Sequence, residues 1–227
     1  MIEVDTTILI ENIVTFIDAA IPSFITYYSN LNEPLKNEKL INQSITDHFN
    51  MLSQEIKISE YLVYKFLFRK DDERSDTIAR PDIGVVIATN NRMLAESIFQ
   101  VECKRLPIPK PYTKDRVETE YVIGTTKNRG GIERFKSKIH GFHLKQSAII
   151  GYVESETTDY WYKKINDWIE IEIAKKSEIL QWCSLDHLII MTKNDLFAKF
   201  QSTCTRDQLS DIKIYHYLID LHNTRKN

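Results

Sequence analysis

The segment SIFQVECKRL, residues 97–106, sets the tightest limit on what this chain can fold into. Side chains alternate across a β-strand, so Phe99, Val101 and Cys103 share one face, and Ile98, Gln100, Glu102 and Lys104 the other. The first set is apolar and suits a core, which makes Cys103 a small buried hydrophobe rather than a reagent. The second set turns polar toward its end, where Glu102 and Lys104 stand side by side. Charge inside a sheet is expensive, so such a strand requires partners for both groups.

The surroundings predict an α/β protein. Two further runs of strand formers precede this one, YLVYKFLFR (61–69) and RPDIGVVIA (80–88), separated by the polar turn KDDERSDTIA. The three read as a β-meander, and Pro81 is tolerated at the start of its strand. GIERFKSKIHGF, opened by Gly130 and Gly131, predicts a helix, and SAIIGYVE an apolar, buried strand. TTDYWYKKINDWIEIEIAKK predicts a long helix with Trp161, Ile165, Trp168, Ile169 and Ile173 on one face. LDHLIIMT and IKIYHYLIDL predict late strands. At the N-terminal end, Thr7–Asn30 reads as a helix broken near Pro22, and a second helix runs from about Leu35 to Ser53. No linker, repeat or low-complexity stretch interrupts the pattern. The expected organisation is a helical N-terminal extension (1–31) and one α/β domain (32–227).

Composition excludes several classes. At 42% hydrophobic and 27% charged residues the chain is globular rather than disordered. Its three cysteines form no Cys-x-x-Cys, so neither a disulfide framework nor a zinc site is expected, and a reducing cytoplasm fits. No apolar run is expected to span a membrane, and no signal-peptide pattern opens the sequence. The net charge of −2 hides a local excess. Lys104 to Lys145 holds eleven Lys/Arg against Asp115, Glu118, Glu120 and Glu133, a surface able to hold phosphates.

If the strand carrying Asp82 pairs antiparallel with the one carrying Glu102, Asp82 comes near Glu102 and Lys104. Two carboxylates at close range want a cation. Lys104 can serve, as part of an ion-pair network; so can Mg²⁺, which takes oxygen ligands, keeps waters and accepts phosphate oxygens. A metal so placed polarises a phosphate and activates water, and the lysine can orient that water or neutralise charge on the phosphate. Glu38 lies one turn before Ile41 on the apolar face of its helix, so it points to the protein body, or else it caps the helix.

Pro81-Asp82, nineteen intervening residues and then Glu102-Cys103-Lys104 resemble the signature of the PD-(D/E)XK nuclease superfamily, with its restriction-endonuclease-like fold. The resemblance covers about residues 35–154 and implies an α-β-β-β-α-β core, a central mixed sheet flanked by helices. It implies Asp82 and Glu102 as ligands of Mg²⁺, for which Mn²⁺ can substitute. It implies the Cys103 backbone carbonyl as a third ligand, Lys104 as the catalytic lysine and Glu38 as the helix acid that completes the site. The segment GIERFKSKIHGF lacks the Gln-x-x-x-Tyr of the RecB-like branch, and 131–153 is similar to small stand-alone members among restriction and phage-defence proteins.

The function so implied is a Mg²⁺-dependent endonuclease acting on DNA in restriction or antiviral defence, with a protein partner or a homodimer supplying specificity. The rival is an inactive nuclease-fold module that binds nucleic acid or serves as a subunit of a larger defence complex. Arg105, Lys127, Arg129, Arg134 and Lys138 are the candidate phosphate contacts, with the helix N-terminus at Gly130-Gly131 assisting. His140 and His143 offer two imidazoles, but Gly141 between them favours a helix end over a metal pair. His216 and Asp220 in the last strand are within conceivable reach of the site. Trp161 and Trp168 are expected in the core rather than stacked on bases.

Overall fold

The computed structural model describes residues 6–55, 65–70, 80–88, 96–108, 117–125 and 130–222. Contacts within the chain group it into two compact units, Met1–Gln100 and Val101–Asn227.

The first unit begins with α1 (Thr6–Ser29) and α2 (Glu38–Glu55), followed by β1 (Lys65–Lys70), β2 (Ile83–Ala88) and the first two residues of β3 (Phe99–Leu106). β1 and β2 pair antiparallel, Lys65 opposite Ala88 and Lys70 opposite Ile83. β2 in turn receives the start of the third strand, where the Ile98 N–H donates to the Val85 carbonyl at 2.9 Å. Helical spacing puts Leu9, Ile13, Phe16, Ile17, Ala20 and Phe24 of α1 on a buried stripe. Phe16 meets Phe49 of α2 edge-on at 5.9 Å and stacks on Phe68 of β1 at 5.3 Å. Asn50 of α2 bonds the Phe68 backbone twice, donating to its carbonyl and accepting from its N–H, both at 2.8 Å. Two backbone groups of β1 are satisfied in this way.

Two expectations change here. α1 runs unbroken through Pro22. Proline removes one helical hydrogen bond, but Ile21, Phe24 and Ile25 around it are all buried, and packing on both sides holds the helix together. α1 is also long and apolar enough to cross a membrane, with a mean hydropathy of 1.7 over an 18-residue window inside Thr7–Ser29, contrary to the expectation of no such run. In this structure 56% of that window is buried inside the protein.

The second unit holds the rest of β3, a 3₁₀ turn at Glu118–Tyr121, α3 (Gly131–Lys136), β4 (Gln146–Val153), α4 (Thr158–Lys175), β5 (Ile189–Lys193), β6 (Phe197–Cys204) and β7 (Ile212–Asp220). The strand order here is β3-β4-β7-β6-β5. β3, β4 and β7 run parallel; β6 lies antiparallel to β7, and β5 antiparallel to β6. The fold is therefore α/β with a mixed sheet, seven strands being present among the described residues. From α2 to β4 the helices and strands follow the order α-β-β-β-α-β.

The 3₁₀ turn and α3 form the crossover between parallel β3 and β4, as parallel pairing requires. Trp161, Ile165, Trp168 and Ile169 of α4 pack into one cluster with Ile149, Val153, Ile214 and Leu218 of the sheet and Ile132 and Phe135 of α3. This matches the core role expected for the two tryptophans. α3 is much shorter than its sequence suggests. It ends at Ser137, and Lys138 (φ 67°) and Gly141 (φ 63°) turn the chain sharply. β6 is a strand that the sequence reading did not identify. Its buried Lys199 lies over the rings of Tyr215 (5.0 Å) and Tyr217 (5.5 Å), and buried Ser202 bonds His216, so its apolar pattern is broken by satisfied polar groups.

Gly130 fixes the start of α3. A Cβ there would fall 2.3 Å from Ile123 Cα and 2.4 Å from Val122 O, both backbone atoms that cannot yield cheaply. Gly130→Ala is expected to lower stability by about 2 kcal/mol or more in urea denaturation. A neutral effect would contradict this close approach of backbones.

Candidate functional site

β3 is the element that carries the site. Its Cys103 is fully buried on one face, and Glu102 and Lys104 occupy alternate positions facing the other way. Lys104 lies opposite Gly151 in the parallel ladder with β4. A glycine leaves the space above it to Leu106, Tyr121 and Leu218, whose side chains come within 2.7–3.1 Å of where a Cβ would be.

Glu102 is 0% exposed, yet it is ionised. Its Oε1 accepts from Lys104 Nζ at 2.6 Å and from Arg134 Nη1 on α3. Its Oε2 faces His140 Nδ1 at 3.2 Å, off the line of a good hydrogen bond, and both atoms are buried without one. Burial alone pushes this carboxyl up. Lys104, His140 and Arg134 outweigh burial and hold it well below the usual carboxylate range. Lys104 Nζ also stands 3.8 Å from Glu120 Oε1 in the 3₁₀ turn.

Arg134 and His140 reach Glu102 because of how α3 ends. The Ile139 and His140 N–H groups both donate to the Arg134 carbonyl, at 2.9 and 3.0 Å, closing the chain back on the helix. The ring of Phe135 packs edge-on against His140 at 5.7 Å. Gly141 follows in the left-handed conformation, with Ile212, Phe135 and Ser147 close around it.

The expected site residues divide as follows. Glu102, Lys104 and Arg134 are brought together in the second unit. Arg105 is on the opposite face of β3, where its guanidinium holds both oxygens of Glu154, at 2.6 and 2.9 Å. Lys138 donates to the Asp207 carbonyl at 2.7 Å. Lys127 and Arg129 lie outside the described residues. Asp82 immediately precedes β2 in the first unit, half-buried after buried Pro81. Glu38, also in the first unit, is half-buried in the first turn of α2, which Asn37 caps by accepting from the Leu40 N–H at 2.9 Å. The anion place at the start of α3 is filled by the protein's own Glu133, whose Oε2 accepts from Gly130 N–H (2.9 Å) and Gly124 N–H (3.2 Å). A nucleic-acid phosphate at that helix end would have to displace it.

Reading the sequence missed Glu120 and gave His140 only a weak metal role paired with His143. The structure separates the pair: His140 is buried against Glu102 and His143 is exposed. The available signal was charge: a buried Glu-x-Lys strand demands further nitrogen donors from the crossover. His216 is likewise not a site residue. It is fully buried between Tyr121 Oη (3.0 Å) and Ser202 Oγ (2.9 Å).

A Mg²⁺ ion is implied by the sequence resemblance. Among the described residues, no group of three or more His, Cys, Asp and Glu side chains is arranged to hold a metal. One atom does fit: Glu102 Oε2, a buried carboxylate oxygen that lacks a well-formed hydrogen bond. Oε1, by contrast, is already taken by two cationic donors. Comparisons with protein-family models, curated proteins and solved structures find no match for this chain.

Burial depresses the His216 pKa to about 3 from 6.5. Between those values the unfolded chain binds a proton that the folded chain refuses, so His216 withdraws stability as pH falls from 6.5 toward 3. His216→Gln, which keeps a donor and an acceptor, is expected to flatten the fall of unfolding free energy between pH 6.5 and 4. Equal slopes for the variant and the wild type would contradict this.

Proposed function

We propose that the chain is a divalent-metal-dependent nuclease with a PD-(D/E)XK, restriction-endonuclease-like core. It would hydrolyse phosphodiester bonds of DNA in the cytoplasm, in restriction or antiviral defence. The observation that carries this reading is the pair Glu102–Lys104, an ionised, fully buried carboxylate 2.6 Å from an ammonium on one face of β3. Carboxylates with this burial and this many nitrogen neighbours concentrate at functional sites.

The bound metal would polarise the phosphate and lower the pKa of the attacking water. Glu102 would hold it through Oε2. By the sequence resemblance, Asp82 and the Cys103 carbonyl would complete its protein ligands, and Glu38 would supply the helix acid. Lys104, kept in place by Glu102, would neutralise the charge that grows on the phosphate as the bond breaks. Arg134, partly exposed, offers a planar fork of donors matched to phosphate oxygens.

A second reading, a nuclease-fold module that binds nucleic acid or a protein partner without cutting, is favoured by one observation. Glu102 has no solvent exposure, and its Oε1 is already neutralised. A cleavage assay separates the two. With Mg²⁺ or Mn²⁺ the wild-type chain is expected to nick or cut plasmid DNA, and Glu102→Gln and Lys104→Gln each to lower the rate by about 100-fold or more. Undiminished cutting by both variants would remove the assigned site. Failure of the wild type on single- and double-stranded DNA and RNA would favour the binding module.

A further inference from the structure

β5 ends the strand order of the sheet, and among the described residues no other strand is exposed along its whole length. Ile189 is 62% exposed, Ile190 54% and Met191 50%, and Leu185 just before the strand is 50% exposed. Large apolar side chains so close together on a surface form the kind of patch that marks an interface. Both ends of the patch carry charge, supplied jointly by β5 and α4. At one end Lys193 Nζ donates to Asp159 Oδ2 at 2.5 Å. At the other, His187 Nε2 lies 2.9 Å from Glu170 Oε1. The side chains of Lys193, Asp159 and Glu170 remain 40%, 57% and 64% exposed, so each can still meet a second partner.

We infer that the β5 edge is the contact between two copies of this chain, related by a two-fold axis near Met191. Such an axis lays the Lys193–Asp159 end of one copy on the His187–Glu170 end of the other. Lys193 then faces Glu170 of the second copy, Asp159 faces His187, and Ile189, Ile190 and Met191 cover their counterparts. Each end offers one carboxylate and one nitrogen donor, so the pattern is complementary to itself when reversed, as an isologous contact requires. The β5–β6 register slips between Ile190 and Thr192. That bulge and the lysine at the strand's end oppose the open-ended addition of strands. The two copies therefore join by side-chain packing and close as a pair. The patch is smaller than the surface a permanent dimer buries, so the pair forms at micromolar concentration and comes apart on dilution. The whole surface lies in the second unit, and the inference does not depend on the nuclease reading.

Sedimentation of the full chain from about 1 to about 300 μM tests this. The mass is expected to rise from 26.7 kDa toward twice that value. Ile190→Lys and Met191→Glu are each expected to weaken association at least about tenfold. Phe142→Ser, which changes an exposed apolar residue away from the edge, is expected to leave it unchanged. Lys193→Glu and Glu170→Lys are each expected to weaken association, and the double variant to recover it to within about threefold of the wild type. A wild type that stays monomeric throughout would overturn the inference and leave the edge to a different protein. A dimer indifferent to Ile190→Lys and Met191→Glu would overturn it as well, and a double variant without recovery would overturn the two-fold pairing of the ends. One reading needs no variant to fold. In the wild type the methyl ¹³C–¹H signals of Ile189, Ile190 and Met191 are expected to shift with chain concentration, and that of exposed Ile8 to stay put. A dimer that forms without moving the β5 signals would contradict the proposal.

Discussion

The ionised carboxylate of Glu102, withdrawn from water, is the constraint around which the second unit is arranged. Unpaired, it would be destabilising by several kcal/mol or would take up a proton. It stays charged because nitrogens from two elements converge on it: Lys104 from its own strand, and Arg134 and His140 from the crossover that follows. The backbone around α3 serves this convergence. Gly130 lets the helix start against Val122 and Ile123, Glu133 satisfies the N–H groups there, and Gly141 bends the chain so that His140 turns inward.

The same geometry links packing to chemistry. β3 has neighbours that bury Cys103 on one face, and on the other it holds two charged groups 2.6 Å apart. A strand in a sheet is a rigid mount, so a lysine fixed beside a carboxylate in this way is oriented before any ligand arrives, the condition under which electrostatic catalysis is most effective. Arg134 differs in being mounted on a six-residue helix near solvent.

What the sequence made legible was local. Alternation along 97–106 placed Cys103 inside and Glu102 beside Lys104, and helical spacing placed Trp161 and Trp168 in the core. The strand that follows Asp82 was also legible, although it begins at Ile83 and leaves Asp82 just outside it. What was not legible depends on contacts distant in sequence. Pro22 suggests a break, yet the apolar residues around it are buried and the helix runs on. β6 lacks a clean apolar pattern because Lys199 and Ser202 find partners on β7, which nothing near them in sequence announces. His140 lies 38 positions after Glu102 and next to a glycine, so only the folded crossover shows that the two meet. Arg105 and Lys138, basic by composition, are engaged with Glu154 and the Asp207 carbonyl, because a count of charges says nothing about which way each points.

The central claim, a buried carboxylate held ionised by its nitrogen neighbours, is open to direct observation. Carbon-13 NMR of the Glu102 side-chain carboxyl, followed as pH is lowered in the intact protein, reads its protonation by itself. The account predicts no titration near the ordinary value of 4.5, the signal remaining that of a carboxylate well below it for as long as the chain stays folded. A carboxyl that takes up its proton at or above 4.5 would show that burial outweighs Lys104, Arg134 and His140, and would contradict the account.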